Sequence, residues 1–274
     1  MMRSLWTASS GMLSQQTSLD TIANNLSNIN TIGYKKETVE FKTLLYQTLV
    51  DASTDSDGNP KATAIQVGSG VRNSAITSQY TQGALNATEG PFDLAIQGNG
   101  FFMVQDEAGQ TAYTRSGNFQ MAIGVDGLPV LSTSDGHQVL SDQGQAITVK
   151  PEWNVKDIIV DEAGQFIYVD KSGETTNYEV IGKLGIAQFN NPSGLTKAGG
   201  SMLYASGASG EPRIEGIDGG LSVSIIKQGY LEASNVQAVD EMVNMITTQR
   251  AYELNSKIIT ASDEMLQQAN NLRR

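Results

Sequence analysis

Apolar residues follow two different periods along this chain, and the change of period divides it. At the front, Leu5, Met12, Leu19 and Leu26 recur every seven residues, with Ala8, Gln15, Ile22 and Ile29 interleaved three residues behind them. At the back, Ala251, Ile258, Met265 and Leu272 alternate with Leu254, Ala261 and Gln268, and Val239, Val243 and Ile246 carry the apolar positions toward Val236. Three-four spacing of this kind is the a/d pattern of a coiled coil, so each end is expected to be a helix that needs a helical partner. The seam predicted to drive assembly is Leu5, Met12, Leu19, Ile22 and Leu26 from the first helix. Val239, Val243, Ile246, Ala251, Leu254, Ile258 and Met265 supply its other half. A few seam residues return far less free energy than ordering two helices costs, so the ends are expected to fray in a lone subunit and to fold on assembly.

Between the ends the period drops to two. Val67–Tyr80, Phe92–Gln97, Phe101–Val104, Thr111–Thr114, Ile158–Val160, Phe166–Val169, Tyr178–Ile181 and Gly185–Phe189 are short apolar or alternating runs, which reads as strands. Asp precedes Gly in 106–109, 126–127, 135–136, 161–164 and 170–173, the pairing that suits tight hairpins. The expected class is therefore α+β, with N- and C-terminal helices paired as a coiled-coil-like domain and a central antiparallel all-β domain. The helical domain is assigned to 1–33 and 235–274, linkers to 34–70 and 215–234, and the β domain to 71–214. Asn30 to Gly33 should end the first helix, and Ser234 or Asn235 should cap the last one. Asp51 to Ala64, rich in Asp, Ser, Gly and Pro, reads either as a solvated loop or as a wedge between subunits.

Composition narrows the function. Asp51 to Leu231 holds 20 acidic and 10 basic residues of the chain's 29 and 18, a surface that repels phosphate and so argues against nucleic-acid or anionic-membrane binding. With no cysteine, neither disulfides nor Cys-ligated metal are possible. The apolar residues of the N-terminus form an interrupted helical stripe, not a signal-peptide core, and no run reaches the roughly 18 residues of a membrane span. The chain is expected to be soluble, or exported without a cleaved leader, and not inserted in a membrane.

Candidate chemistry dissolves on inspection. Gly98-Asn99-Gly100 lacks the third glycine of a dinucleotide loop and runs into an apolar strand, so it reads as a hairpin or bulge. Asp55, Asp57 and Asn59 begin like a calcium loop, but Pro60 and Gln66 occupy the positions that need glycine and glutamate. His137 is the only histidine and follows a turn, where it should be solvated. No catalytic, metal or cofactor site is expected.

The termini carry a further signal. Ala23-Asn24-Asn25-Leu26-Ser27-Asn28-Ile29-Asn30-Thr31-Ile32-Gly33-Tyr34-Lys35 resembles the N-terminal signature of the bacterial flagellar rod and hook family. Glu241 through Leu266, with Gln249-Arg250-Ala251-Tyr252-Glu253 its most specific part, resembles the C-terminal one. Asp93 to Phe102 and Tyr113 to Phe119 are similar to shared β-domain motifs. Leu44 to Gln47, Ile65 to Arg72 and Gln228 to Val236 look most like the distal rod branch. The resemblance implies a non-enzymatic subunit that polymerises helically with itself, its helices lining a central export channel and its β domain outside. Implied partners are neighbouring rod and hook proteins, outer ring proteins and the flagellar export apparatus. The implied location is the basal body as it crosses the cell envelope through the periplasm. In related early subunits an export gate reads a Phe with an aliphatic residue four positions on, which here is Phe41 and Leu45. The alternative within the family is a hook or proximal rod subunit.

Overall fold

The computed structural model describes residues 2–50, 65–124, 127–151, 153–154, 157–170, 177–217 and 219–271. The Asp51 to Ala64 segment, the calcium-like residues in it and Leu272 lie outside the described residues. The chain forms two compact units: residues 1–27, 37–78 and 237–274 make one, residues 28–36 and 79–236 the other.

In the helical unit, α1 spans Met2–Ser27 and α2 spans Ala238–Asn271, and the two lie along each other. Asp240 and Glu241 fall in the first turn of α2, where carboxylates suit the helix dipole. The stretch from Tyr34 to Val50, assigned to a linker, contributes strands. Glu37–Thr43 pairs antiparallel with Val71–Ser78, and Tyr46–Val50 with Ile65–Gly68. The first ribbon packs on α1. Asn73 donates to Thr17 Oγ1 at 2.7 Å, and Val71 N to Ser10 Oγ at 3.4 Å. The ribbon gives α1 a packing partner that the expectation of frayed ends, which weighed the two helices alone, did not count.

The second unit is antiparallel β throughout. Its main sheet runs Thr196–Lys197, Met202–Tyr204, Thr111–Thr114, Phe101–Gln105, Gln138–Val139, Pro129–Thr133, Phe119–Ile123, with Ile186–Gln188 and Arg213–Ile214 joined off this path. Ile158–Val160, Gln165–Asp170 and Asn177–Lys183 form a second sheet, and Leu94–Gln97 pairs with Ile225–Gln228. Successive side chains of a strand point to opposite faces, so Phe101–Gln105 can serve two cores at once. Phe102 and Val104 enter one with Leu94, Phe119, Leu131 and Phe166. Phe101 and Met103 enter the other with Tyr113, Leu140 and Phe189. Edge-to-face ring pairs at 4.8–5.9 Å join Phe101 and Tyr113 to Phe189 and Phe101 to Tyr80.

Two of the Asp-Gly turns close strands as expected, Gly109 N bonding Asp106 O at 2.9 Å and Gly164 N bonding Asp161 O at 2.8 Å, while Asp126 and residues 171–173 lie outside the described residues. Residues 190–220, though glycine-rich, contain the short strands 196–197, 202–204 and 213–214. Two expectations change. Gly98 to Gly100 is not a hairpin, because Leu94–Gln97 and Phe101–Gln105 pair with other strands; it carries the chain from one sheet to another. Asn235 does not cap α2. Its side chain ties the 34–36 and 79–81 segments together, accepting from Lys36 N at 2.7 Å and donating to Gln79 O at 2.8 Å.

Candidate assembly surface

The two helices meet through residues that the apolar pattern did not mark. Ser4 Oγ lies 3.4 Å from Ser262 Oγ, a Cβ on Gly11 would come within 2.9 Å of the Asn255 amide, and Asn25 donates to Glu241 at 3.2 Å. The helices are therefore antiparallel, and each side of the seam advances by seven residues or a multiple of seven: 4, 11 and 25 against 262, 255 and 241. Small residues allow close approach, and buried hydroxyls turn back onto their own helix, Thr248 Oγ1 to Asn244 O at 2.7 Å and Ser262 Oγ to Ile258 O at 2.8 Å. Asn25 also holds both backbone groups of Glu37, donating to its oxygen at 2.8 Å and accepting from its nitrogen at 2.9 Å. One side chain thus links α1, α2 and the first ribbon strand.

The predicted seam divides between the two helices. On α1, Ile22 is buried and Leu5, Met12, Leu19 and Leu26 are half-buried. On α2 the seam faces outward: Val239, Val243, Ile246, Leu254, Ile258 and Met265 are all exposed, and only Ala251 is half-buried. A helix turns about 100° per residue, so 239, 243, 246, 254 and 265 share one side while 241, 248, 255 and 262 lie opposite. The α2 helix is amphipathic with its apolar side to the outside and its polar and small side against α1. Sequence reasoning missed the α1 counterpart, Trp6 at 75% and Leu13 at 66% exposure, because neither falls on its apolar heptad. Phe41 is 44% and Leu45 88% exposed, so neither is the buried linker contact that would compete with an export-gate reading.

Beneath the family-like motifs of the β unit lies a buried ion cluster. Glu232 accepts from Lys35 Nζ at 2.7 Å, Arg115 Nε at 2.6 Å and Gly83 N at 2.9 Å, with every one of these side chains under a tenth exposed. Arg115 also donates to the carbonyls of Ile96, Gly98 and Gly100. The Gly98–Gly100 turn, where Gly98 takes φ +146°, is thus a cradle for a guanidinium. Burial pushes the Glu232 carboxyl up, but its two cations outweigh that and hold its pKa below the ordinary range. Burial also lowers Lys35, a desolvation that outweighs the pull of Glu232 and to which the repulsion of Arg115 adds. His137 is not the solvated turn residue expected: its side chain is 10% exposed and 3.7 Å from Asp106, which also accepts from Tyr204 at 2.6 Å. Among the described residues no group of acidic and histidine side chains is arranged to hold a metal, and no helix is long and apolar enough to cross a membrane.

A two-helix unit with its apolar side turned out, carried by a chain whose middle is a self-contained β unit, defines a subunit built for packing against other subunits. Three family models match it in order. The flagella basal body rod protein model matches residues 5–35, the flagellar hook protein FlgE/F/G D1 domain model 95–174, and the flagellar basal body rod FlgEFG protein C-terminal model 227–272. Similar proteins include the flagellar basal-body rod protein FlgG of Borreliella burgdorferi, 42% identical with all of both chains covered. Those of Caulobacter vibrioides and Bacillus subtilis are each 38% identical, covering 99% and 100% of this chain and all of theirs. This chain belongs to the flagellar basal-body rod protein family.

Proposed function

We propose that the chain is the structural subunit of the flagellar distal rod, which polymerises with itself into a helical tube that transmits torque to the hook and surrounds the export channel. The observation that carries this reading is the outward apolar side of α2. Seven exposed Val, Leu, Ile and Met side chains on one helix, counted among the described residues, are a stable arrangement only when other chains cover them. Within one chain the helices meet through small and polar groups, so the apolar coiled-coil pairing read from the sequence is made between copies. The terminal helices then form the axial core. Its further partners are the adjoining rod and hook proteins, the surrounding ring proteins and, in transit, the export apparatus, with Phe41 and Leu45 as the gate-recognition pair. Passage through the periplasm needs no cleaved leader, and the role is mechanical, not enzymatic. Matches to rod proteins over nearly the whole of both chains favour the rod over the hook alternative. Cryo-electron microscopy of shafts purified from the host bacterium tests this: the chain should trace in the distal segment, with its helices toward the lumen. Shafts whose density is accounted for without this chain would overturn it.

A further inference from the structure

Resting on that reading, we infer which faces meet: the outer line Trp6, Leu13 and Asp20 of α1 docks antiparallel on Met265, Ile258, Leu254 and Arg250 of α2 in the next copy. A homopolymer that grows needs a heterologous contact, because two identical faces meeting about a two-fold axis close a dimer and stop. An α2 stripe pairing with its own copy is of that closing kind. Its partner in a shaft is a different face of the same chain. The helical unit offers one on α1. Residues 6, 13 and 20 step by seven, fall on one side, and lie opposite positions 4, 11 and 25, which face α2 within the chain. Trp6 is 75% exposed, Leu13 66%, and Asp20 is exposed.

The two lines match in length, order and charge. Trp6 to Asp20 spans about 21 Å and Arg250 to Met265 about 22 Å at the helical rise per residue. With Asp20 set against Arg250, an antiparallel helix brings Leu13 between Leu254 and Ile258. Trp6 then falls between Met265 and the small exposed Ala261, which leaves room for the indole. A parallel arrangement would put the Asp20 carboxylate on Met265 and leave Arg250 without an anion. Neither Asp20 nor Arg250 has an ion-pair partner among the described residues, so both charges are available to a neighbour.

The chain has no cysteine, which makes disulfide trapping clean. Shafts isolated from cells whose only copy is the double variant Leu13→Cys and Ile258→Cys should, on oxidation, give a ladder of covalent multimers on a non-reducing gel. Leu13→Cys with Val239→Cys, outside the contact, should stay monomeric. Separately, Asp20→Arg and Arg250→Asp should each weaken shaft assembly by about 5-fold, the upper range for exposed ion pairs, and the two together should restore it. Shafts that form normally yet give only monomer from the Leu13/Ile258 pair would overturn the docking and leave self-assembly standing. Shafts from which the unaltered chain is absent would overturn both. Circular dichroism of each purified variant, matching the unaltered chain, separates lost docking from lost folding.

Discussion

The two units treat the same kinds of side chain in opposite ways. Among the described residues, 30 apolar side chains are buried, 28 of them in the β unit and only Ala8 and Ile22 in the helical one. Of the 26 large apolar residues exposed among the described residues, 17 lie in the smaller helical unit. The β unit therefore carries its own stability, and the helical unit has moved its hydrophobic surface to the outside, where only neighbours can use it. A substitution should accordingly harm folding in one unit and assembly in the other.

The largest expected effect is in the β core. Phe102 is fully buried and stacks edge-on to Phe119 at 5.0 Å, so Phe102→Ala should lower unfolding stability by about 3–5 kcal/mol in a denaturant titration. Shaft assembly would be lost with it.

Breaking the ion cluster comes next. Arg115→Ala leaves the buried Glu232 with one cation and frees three carbonyls, at a cost of roughly 3–5 kcal/mol. The acid limb of stability also belongs to this cluster. Because the folded pKa of Glu232 lies below the unfolded one, its contribution is complete above the ordinary carboxylate range and is lost as pH falls through the lower folded value. In the unaltered protein the unfolding midpoint should therefore drop below about pH 4. Glu232→Gln should start lower and lose that part of the slope. An unchanged slope in the variant would place the acid sensitivity elsewhere.

A smaller effect should follow from Asn25→Ala, which removes the side chain joining α1, α2 and Glu37. About 1–3 kcal/mol is expected, confined to the helical unit and visible as faster amide exchange in α2 with the β unit unchanged. The smallest effect on folding sharpens the contrast most. Leu254→Asp and Ile258→Asp place a charge on an exposed face, so stability of the purified chain should change by no more than about 0.5 kcal/mol. Motility and isolated shafts should nonetheless be lost, because every contact in the polymer repeats the buried charge. Normal shafts from either variant would remove the stripe from the assembly surface.

The sequence alone determined the class and order of the elements. A seven-residue apolar step at each end and a two-residue step between them dictate terminal helices and a β centre, and Asp-Gly pairs mark where strands reverse. These are local properties, set by the helical and pleated repeats themselves. It also picked out the apolar side of α2 residue by residue. What it could not tell was what covers that side. Periodicity defines a stripe but not the direction it faces, and the pairing of α1 with α2 runs through serines, Gly11 and Asn25, which carry no hydrophobic signal. The ion cluster was out of reach for a different reason. Lys35 and Arg115 meet Glu232 from 197 and 117 residues away, and nothing near any of the three in the chain distinguishes a buried charge from a solvated one. Only the tertiary fold, by removing water from all of them at once, obliges those charges to find each other.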